Sequence, residues 1–318
     1  MTAKTKEPRA KIESAAVASR ALAGNNGFSL ISNEKLLSIY AAMLKCRMLE
    51  ERARLLFPRS KAAPMGREAA AAGVTIDLLP EDALIVTERD LKPAFVKGVP
   101  LEAIFRHFFE RAAGPSAPSR LKPRSAPAHF THEPLNVVAP SATIAAQLRM
   151  ATDLAKAQKA RNKGRITVIF SDGGSGAWLK ALKLAGKESL PMLFVCQNNP
   201  FAEPASQESQ NLGFPSIPVD ANDAVAVYRV ASESISLIRQ GRGPTLIECQ
   251  TYRLPDRSPK GLSRPRKTGS SEGEPAGEPI LSMESYLTRK GLFSTEFRRQ
   301  VVAGFGKELD SALAKASR

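Results

Sequence analysis

Histidine and cysteine are scarce in this chain, with three of each among 318 residues, and aromatic residues make up only 6%. The cysteines, Cys46, Cys196 and Cys249, lie far apart without CxxC spacing. That pattern excludes a disulfide framework and a structural zinc site. With only His107, His129 and His132 available, a histidine-rich metal centre is excluded as well. No stretch of roughly 18 uncharged apolar residues occurs, so no transmembrane helix and no membrane partner are expected. The first 24 residues, MTAKTKEPRAKIESAAVASRALAG, contain no continuous apolar segment and read as a tail rather than a secretory signal. Glu7 and Glu13 argue against a transit peptide. The chain also lacks a helix-turn-helix signature, zinc-finger spacing and an aromatic ladder for stacking bases. Its net charge of +15 attracts polyanions in general, but the excess is dispersed between the N-terminus and a Pro/Gly/Ser stretch around Lys260–Lys267. A basic nucleic-acid-binding protein is thus only a remote alternative.

What remains is an ordinary globular composition, 43% apolar and 24% charged. Short, unbroken apolar runs at Leu84–Val86, Asn136–Ala139, Ile166–Phe170, Met192–Cys196, Ile217–Val219 and Thr245–Tyr252 have the look of strands buried on both faces of a parallel sheet. Helical patterns separate them: Leu101–Arg111, Ala142–Lys159, Trp178–Lys187 and Asp223–Gln240. Two more helices come first, one opening near Ser32 and stopping at Pro58, the other an Ala-rich run begun by Gly66-Arg67-Glu68. The alternation predicts an α/β fold with a mostly parallel sheet flanked by helices. Residues 1–30 read as a basic flexible tail, and 31–318 as one domain with long loops at 113–128 and 255–279. Glu278–Arg318 returns to helix, interrupted at Gly291.

The block most informative about function is ITVIFSDGGSGAWLKALKLAGKESLPMLFVCQNNPFA, residues 166–202. Its first strand ends in Ser171-Asp172-Gly173-Gly174, a turn at the carboxyl edge of a sheet, where open α/β folds bind ligands. Glycines there let backbone N–H groups approach a phosphate, and the following helix offers its positive end. A single aspartate suits Mg²⁺, which keeps few protein carboxylates and completes its octahedron with phosphate oxygens and water. The next strand delivers Asn198 and Asn199 to the same edge; Asp172 and Asn199 are 27 residues apart, one βα crossover. Either motif alone reads as a turn, whereas together they favour a site.

This block resembles the thiamine diphosphate-dependent 2-oxo acid dehydrogenases, specifically the alpha subunit of their decarboxylating first component (pyruvate, branched-chain and acetoin types). That family carries Gly-Asp-Gly, a Leu-Pro and then Asn-Asn-x-Tyr. Here the order is Ser171-Asp172-Gly173, Leu190-Pro191 and Asn198-Asn199-Pro200-Phe201. The likeness extends from about residue 32 to 315 through LLSIYAAMLKCRMLEERA, MGREAAAAG, VDANDAVAVYRVASESI, GPTLIECQTYRL and EPILSMESYLTRKGLFSTEF. The resemblance implies thiamine diphosphate and Mg²⁺ as cofactors, with Asp172 and Asn199 as metal-ligating side chains and Phe201 giving its carbonyl. Arg89, Ser171, Gly173 and Gly174 fall at cofactor-binding positions. It also implies a beta subunit, which supplies the activating glutamate, a lipoyl-bearing acyltransferase partner, and a cytoplasmic location, or the mitochondrial matrix in a eukaryote.

Departures from the family pattern cluster on the substrate side. Tyr-Arg-Asp-His is replaced by Glu88-Arg89-Asp90-Leu91, and Gly-Ser-Met-His by Ala126-Pro127-Ala128-His129. The usual Arg-x-x-Gly-His-Ser loop reads Arg253-Leu254-Pro255-Asp256-Arg257-Ser258. No catalytic residue is therefore assigned: Arg257 stands at the usual histidine position, and His129 is a candidate for ligand contact. A catalytically degenerate homologue with a structural or regulatory role is the alternative reading.

Overall fold

The computed structural model describes residues 31–57, 66–113, 129–140, 142–161, 163–172, 176–198, 213–250 and 278–317. Seven strands form one sheet in the order β2-β3-β1-β4-β5-β7-β6. They are β1 (Ala83–Ile85), β2 (Phe130–His132), β3 (Val137–Ala139), β4 (Thr167–Asp172), β5 (Met192–Asn198), β6 (Ser216–Asp220) and β7 (Thr245–Gln250). Every neighbouring pair is parallel except β2–β3. The expected α/β architecture is present.

Alternate residues of the central strands enter different apolar cores, which is why these strands read as unbroken runs. Val168, Phe170, Leu193, Val195 and Ile247 face one core. Ile169, Phe194, Cys196 and Leu246 face the other, which is lined by α5 (Ile144–Arg161) and α6 (Gly176–Lys187). Trp178 fills that second core at 1% exposure. The first core is completed by α3 (Lys92–Val96), α4 (Leu101–Ala113), α7 (Ala224–Leu237) and the long closing helix α9 (Thr295–Ala316). A third cluster joins α1 (Asn33–Leu56), α2 (Glu68–Thr75) and α8 (Pro279–Arg289). Among the described residues no helix is long and apolar enough to cross a membrane.

Helix ends follow their capping residues. Ser32 accepts from the Lys35 amide at 3.1 Å, and Asp223 accepts from the Val225 and Ala226 amides, each at 2.9 Å. Helices α2 and α7 approach so closely that a Cβ on Gly73 would lie 2.8 Å from Val227 Cγ1, so only glycine fits there. Three details differ from expectation. The edge strand β2 has one buried apolar residue, Phe130, too little pattern to announce a strand. Helix α3 is only five residues long. The Ala-rich helix ends at Thr75, and Asp77 just beyond it accepts from Lys35 and Tyr228.

Candidate active site

The parallel strands end together along one edge, where Asp172 lies opposite Gln197 and Gln197 opposite Cys249. Asp172 is the last residue of β4, and its side chain is 55% exposed. The flanking Ser171 is buried, its hydroxyl donating to the Asp172 carbonyl at 3.3 Å. Trp178 Nε1 donates to that same carbonyl at 3.0 Å, tying the first turn of α6 to the strand end.

The side chain that organises this edge is Arg67. Gly66, at φ +91°, makes the turn that brings the chain into α2. Arg67 follows as the helix N-cap, with 6% of its side chain exposed. Its Nη2 donates to Asp172 Oδ1 at 2.7 Å and its Nη1 to Gln197 Oε1 at 3.0 Å. Nη1 also lies 4.0 Å from Asp90 Oδ2. One guanidinium thus links the ends of β4 and β5 to the turn after β1. Separate nitrogens of a planar fork reach Asp172 and Gln197 at once, with the spacing fixed by the guanidinium.

A buried ionic layer supports Arg67 from behind. Lys92 Nζ contacts Asp90 Oδ1 at 3.0 Å and donates to Glu50 Oε2 at 2.7 Å. Burial works against the Lys92 charge, but Asp90 and Glu50 overcome that, holding the ammonium above the usual lysine range. Arg47 donates to Glu68 Oε1 at 2.7 Å and to Glu278 Oε1 at 2.5 Å, joining α1, α2 and the cap of α8. Three buried atoms in this layer have no hydrogen-bond partner among the described residues: Glu68 Oε2, Asp90 Oδ2 and Gln197 Nε2. Two of the three border Arg67. Buried polar atoms without a partner are uncommon, and a bound water or ion is one way of satisfying them.

Of the sequence-derived candidates, Ser171 and Asp172 are thus brought to the strand edge. Arg89 is exposed in the turn after β1, and His129 is exposed immediately before β2. Gly173, Gly174, Asn199, Phe201 and Arg257 lie outside the described residues, as do the greater parts of both long loops. Arg67, Gln197 and Asp90 were not singled out from sequence. The available signal was an arginine placed directly after a glycine and opening an otherwise apolar, Ala-rich helix. All three cysteines are buried thiols outside any disulfide. Burial pushes the Cys249 thiol up to about 12, which removes it as a nucleophile at neutral pH.

The edge fits a cation held by one carboxylate. Asp172 is accessible, Arg67 engages only its Oδ1, and among the described residues no cluster of three metal-ligating acids, histidines or cysteines competes. In open, largely parallel α/β sheets, ligands bind at this carboxyl edge of the strands. The model of the dehydrogenase E1 component family matches residues 40–318, and the chain belongs to that family, the thiamine diphosphate-dependent one whose motifs it resembles. It is 29% identical over 293 residues to the 2-oxoisovalerate dehydrogenase subunit alpha of Bacillus subtilis, covering 86% of this chain and 87% of the relative. It is 28% identical to the Staphylococcus aureus pyruvate dehydrogenase E1 component subunit alpha, over 90% of this chain and 79% of the relative. A chloroplastic pyruvate dehydrogenase E1 component subunit alpha-3 of Oryza sativa is 27% identical, over 98% and 79% respectively.

Proposed function

We propose that this chain is the alpha subunit of a 2-oxo acid dehydrogenase first component, anchoring Mg²⁺-thiamine diphosphate for oxidative decarboxylation of a 2-oxo acid and acyl transfer to a lipoyl group. The observation that carries this reading is the half-exposed Asp172 at the carboxyl end of β4, braced by Arg67 against Gln197 on the adjacent parallel strand. Asp172 and Asn199 would hold the metal with the Phe201 carbonyl, while Arg89, Ser171 and the amides of Gly173 and Gly174 would receive the diphosphate. When bound, the cofactor would supply the carbanion and electron-sink chemistry that decarboxylation of a 2-oxo acid needs.

The chain's own residues bind and orient. Arg67 fixes the Asp172 carboxylate before any ligand arrives, so little reorganisation accompanies binding. The beta subunit is the expected partner, with a lipoyl-bearing acyltransferase downstream and a cytoplasmic or matrix location. On the substrate side Arg257 replaces a histidine. A guanidinium neutralises a carboxylate but exchanges no proton near neutral pH. Losing one positioned acid–base group costs about 10²–10⁴-fold in rate, so turnover is expected below that of complete family members.

The test is co-expression with a beta-type homologue, co-elution on size exclusion with light scattering, and decarboxylation of pyruvate and branched-chain oxo acids with an artificial electron acceptor. A stable heteromer with slow turnover supports the reading. A chain indifferent to every beta homologue would overturn it. A heteromer that binds cofactor but never turns over would establish the degenerate alternative.

A further inference from the structure

Arg67 stands where a second positive charge works against the metal it accompanies. Its Nη2 touches Asp172 Oδ1 at 2.7 Å, while its other carboxylate neighbour, Asp90, is 4.0 Å away. Asp90 is already compensated by Lys92 at 3.0 Å. The Arg67 charge is therefore spent chiefly on Asp172, the one carboxylate assigned to Mg²⁺. With 6% exposure, the guanidinium has little water to screen it and cannot swing away without leaving Gln197 Oε1 unpaired.

We propose that Arg67 is a resident cation of the metal site, a positioning residue that presents Asp172 while lowering the site's affinity for divalent metal, so that cofactor loading in this chain is governed by magnesium concentration. The proposal rests on Asp172 being the metal anchor. Two like charges held within a few ångströms of one carboxylate repel each other, so a guanidinium 2.7 Å from Asp172 Oδ1 opposes a second cation on the same group. Asp172 is half exposed, so solvent screens part of that repulsion.

The chain carries its own reporter. Trp178, the single tryptophan, donates from Nε1 to the Asp172 carbonyl at 3.0 Å. Tryptophan fluorescence of the full-length chain, titrated with thiamine diphosphate at a series of MgCl₂ concentrations, gives the half-saturating Mg²⁺ concentration. Arg67→Gln should lower that concentration by about tenfold without tightening cofactor binding at saturating metal, a split that a merely structural role for Arg67 would not produce. Arg67→Met repeats the reading if the glutamine variant does not fold. Should neither fold, the unmodified chain decides, with a half-saturating Mg²⁺ on the order of millimolar, the weak end for protein oxygen sites, supporting the proposal and a micromolar value overturning it. An Arg67→Gln requirement equal to or higher than that of the unmodified chain overturns the proposal. Asp172→Asn separates the two claims. If it abolishes metal-dependent binding while Arg67→Gln changes nothing, the anchor stands and the inference falls; if it leaves the metal requirement untouched, the anchor itself is wrong and the inference goes with it.

Discussion

Two aspartate–arginine pairs sit at opposite ends of the same sheet, and they differ in what surrounds them. At the amino end, Asp82 is completely buried and saturated. Arg239 clasps it through two bonds of 3.0 and 2.6 Å, and the Leu79 and Ile166 amides donate at 2.8 and 3.2 Å. At the carboxyl end, Asp172 is 55% exposed and receives one bond from Arg67, on Oδ1. The exposure is inverted between partners: at Asp82 the acid is buried and the arginine partly exposed, at Asp172 the reverse. A buried acid with all its donors supplied holds chain segments together. An accessible acid presented by a buried arginine is available to a ligand.

That contrast makes opposite predictions for two similar mutations. Asp82→Ala should lower unfolding free energy by about 3–5 kcal/mol, the cost of breaking a buried pair, with cofactor affinity of the remaining folded protein unchanged in titration. Asp172→Asn should cost less stability than Asp82→Ala, since the acid is half exposed and the isosteric amide oxygen can still accept from Arg67, yet abolish metal-dependent cofactor binding. Chemical denaturation of both variants, read beside cofactor titrations, breaks the comparison if the two effects are not separated.

The next effect lies between the two ends, in the core. His107 is 3% exposed and packs on Phe130 and Phe108, its Nε2 without a partner among the described residues. Burial, aided by Arg111 and opposed by Glu88, pushes its pKa from 6.5 down to about 4. The unfolded chain therefore binds a proton between pH 6.5 and 4 that the folded chain does not. Stability should fall as pH drops through that window, by up to about 3 kcal/mol. His107→Leu should flatten this part of the pH profile in denaturation measurements. Smaller still, Gly73→Ala should cost about 1–3 kcal/mol through overpacking against Val227, again without a cofactor effect.

Much of the fold was legible because its strands are buried on both faces. Runs such as Ile166–Phe170 and Met192–Cys196 have no polar alternation to confuse with a helix, and their β4 and β5 bounds differ only at the ends. The three-residue strands β1 and β3 showed as unbroken apolar runs, whereas β2 has a single buried apolar residue and α3 is little more than one turn, so neither left a pattern in the sequence. At the site, Ser-Asp-Gly-Gly announced itself through turn chemistry that is local in sequence. Arg67 did not, because its partners are 105 and 130 residues away and only the folded sheet edge joins them. Asp82 was hidden for the same reason. In Pro80-Glu81-Asp82 it reads as a solvated turn, and its burial depends on Arg239, 157 residues on.

The most direct test of the central claim, that the carboxyl end of the sheet is a cofactor site anchored by Asp172, is isothermal titration of thiamine diphosphate into the chain co-purified with its beta-type partner. Saturating Mg²⁺ is present throughout, and the unmodified chain is compared with Asp172→Ala. Saturable heat from the unmodified protein and none from the variant, with both retaining the same circular dichroism, is the predicted result; equal binding by the two would contradict it.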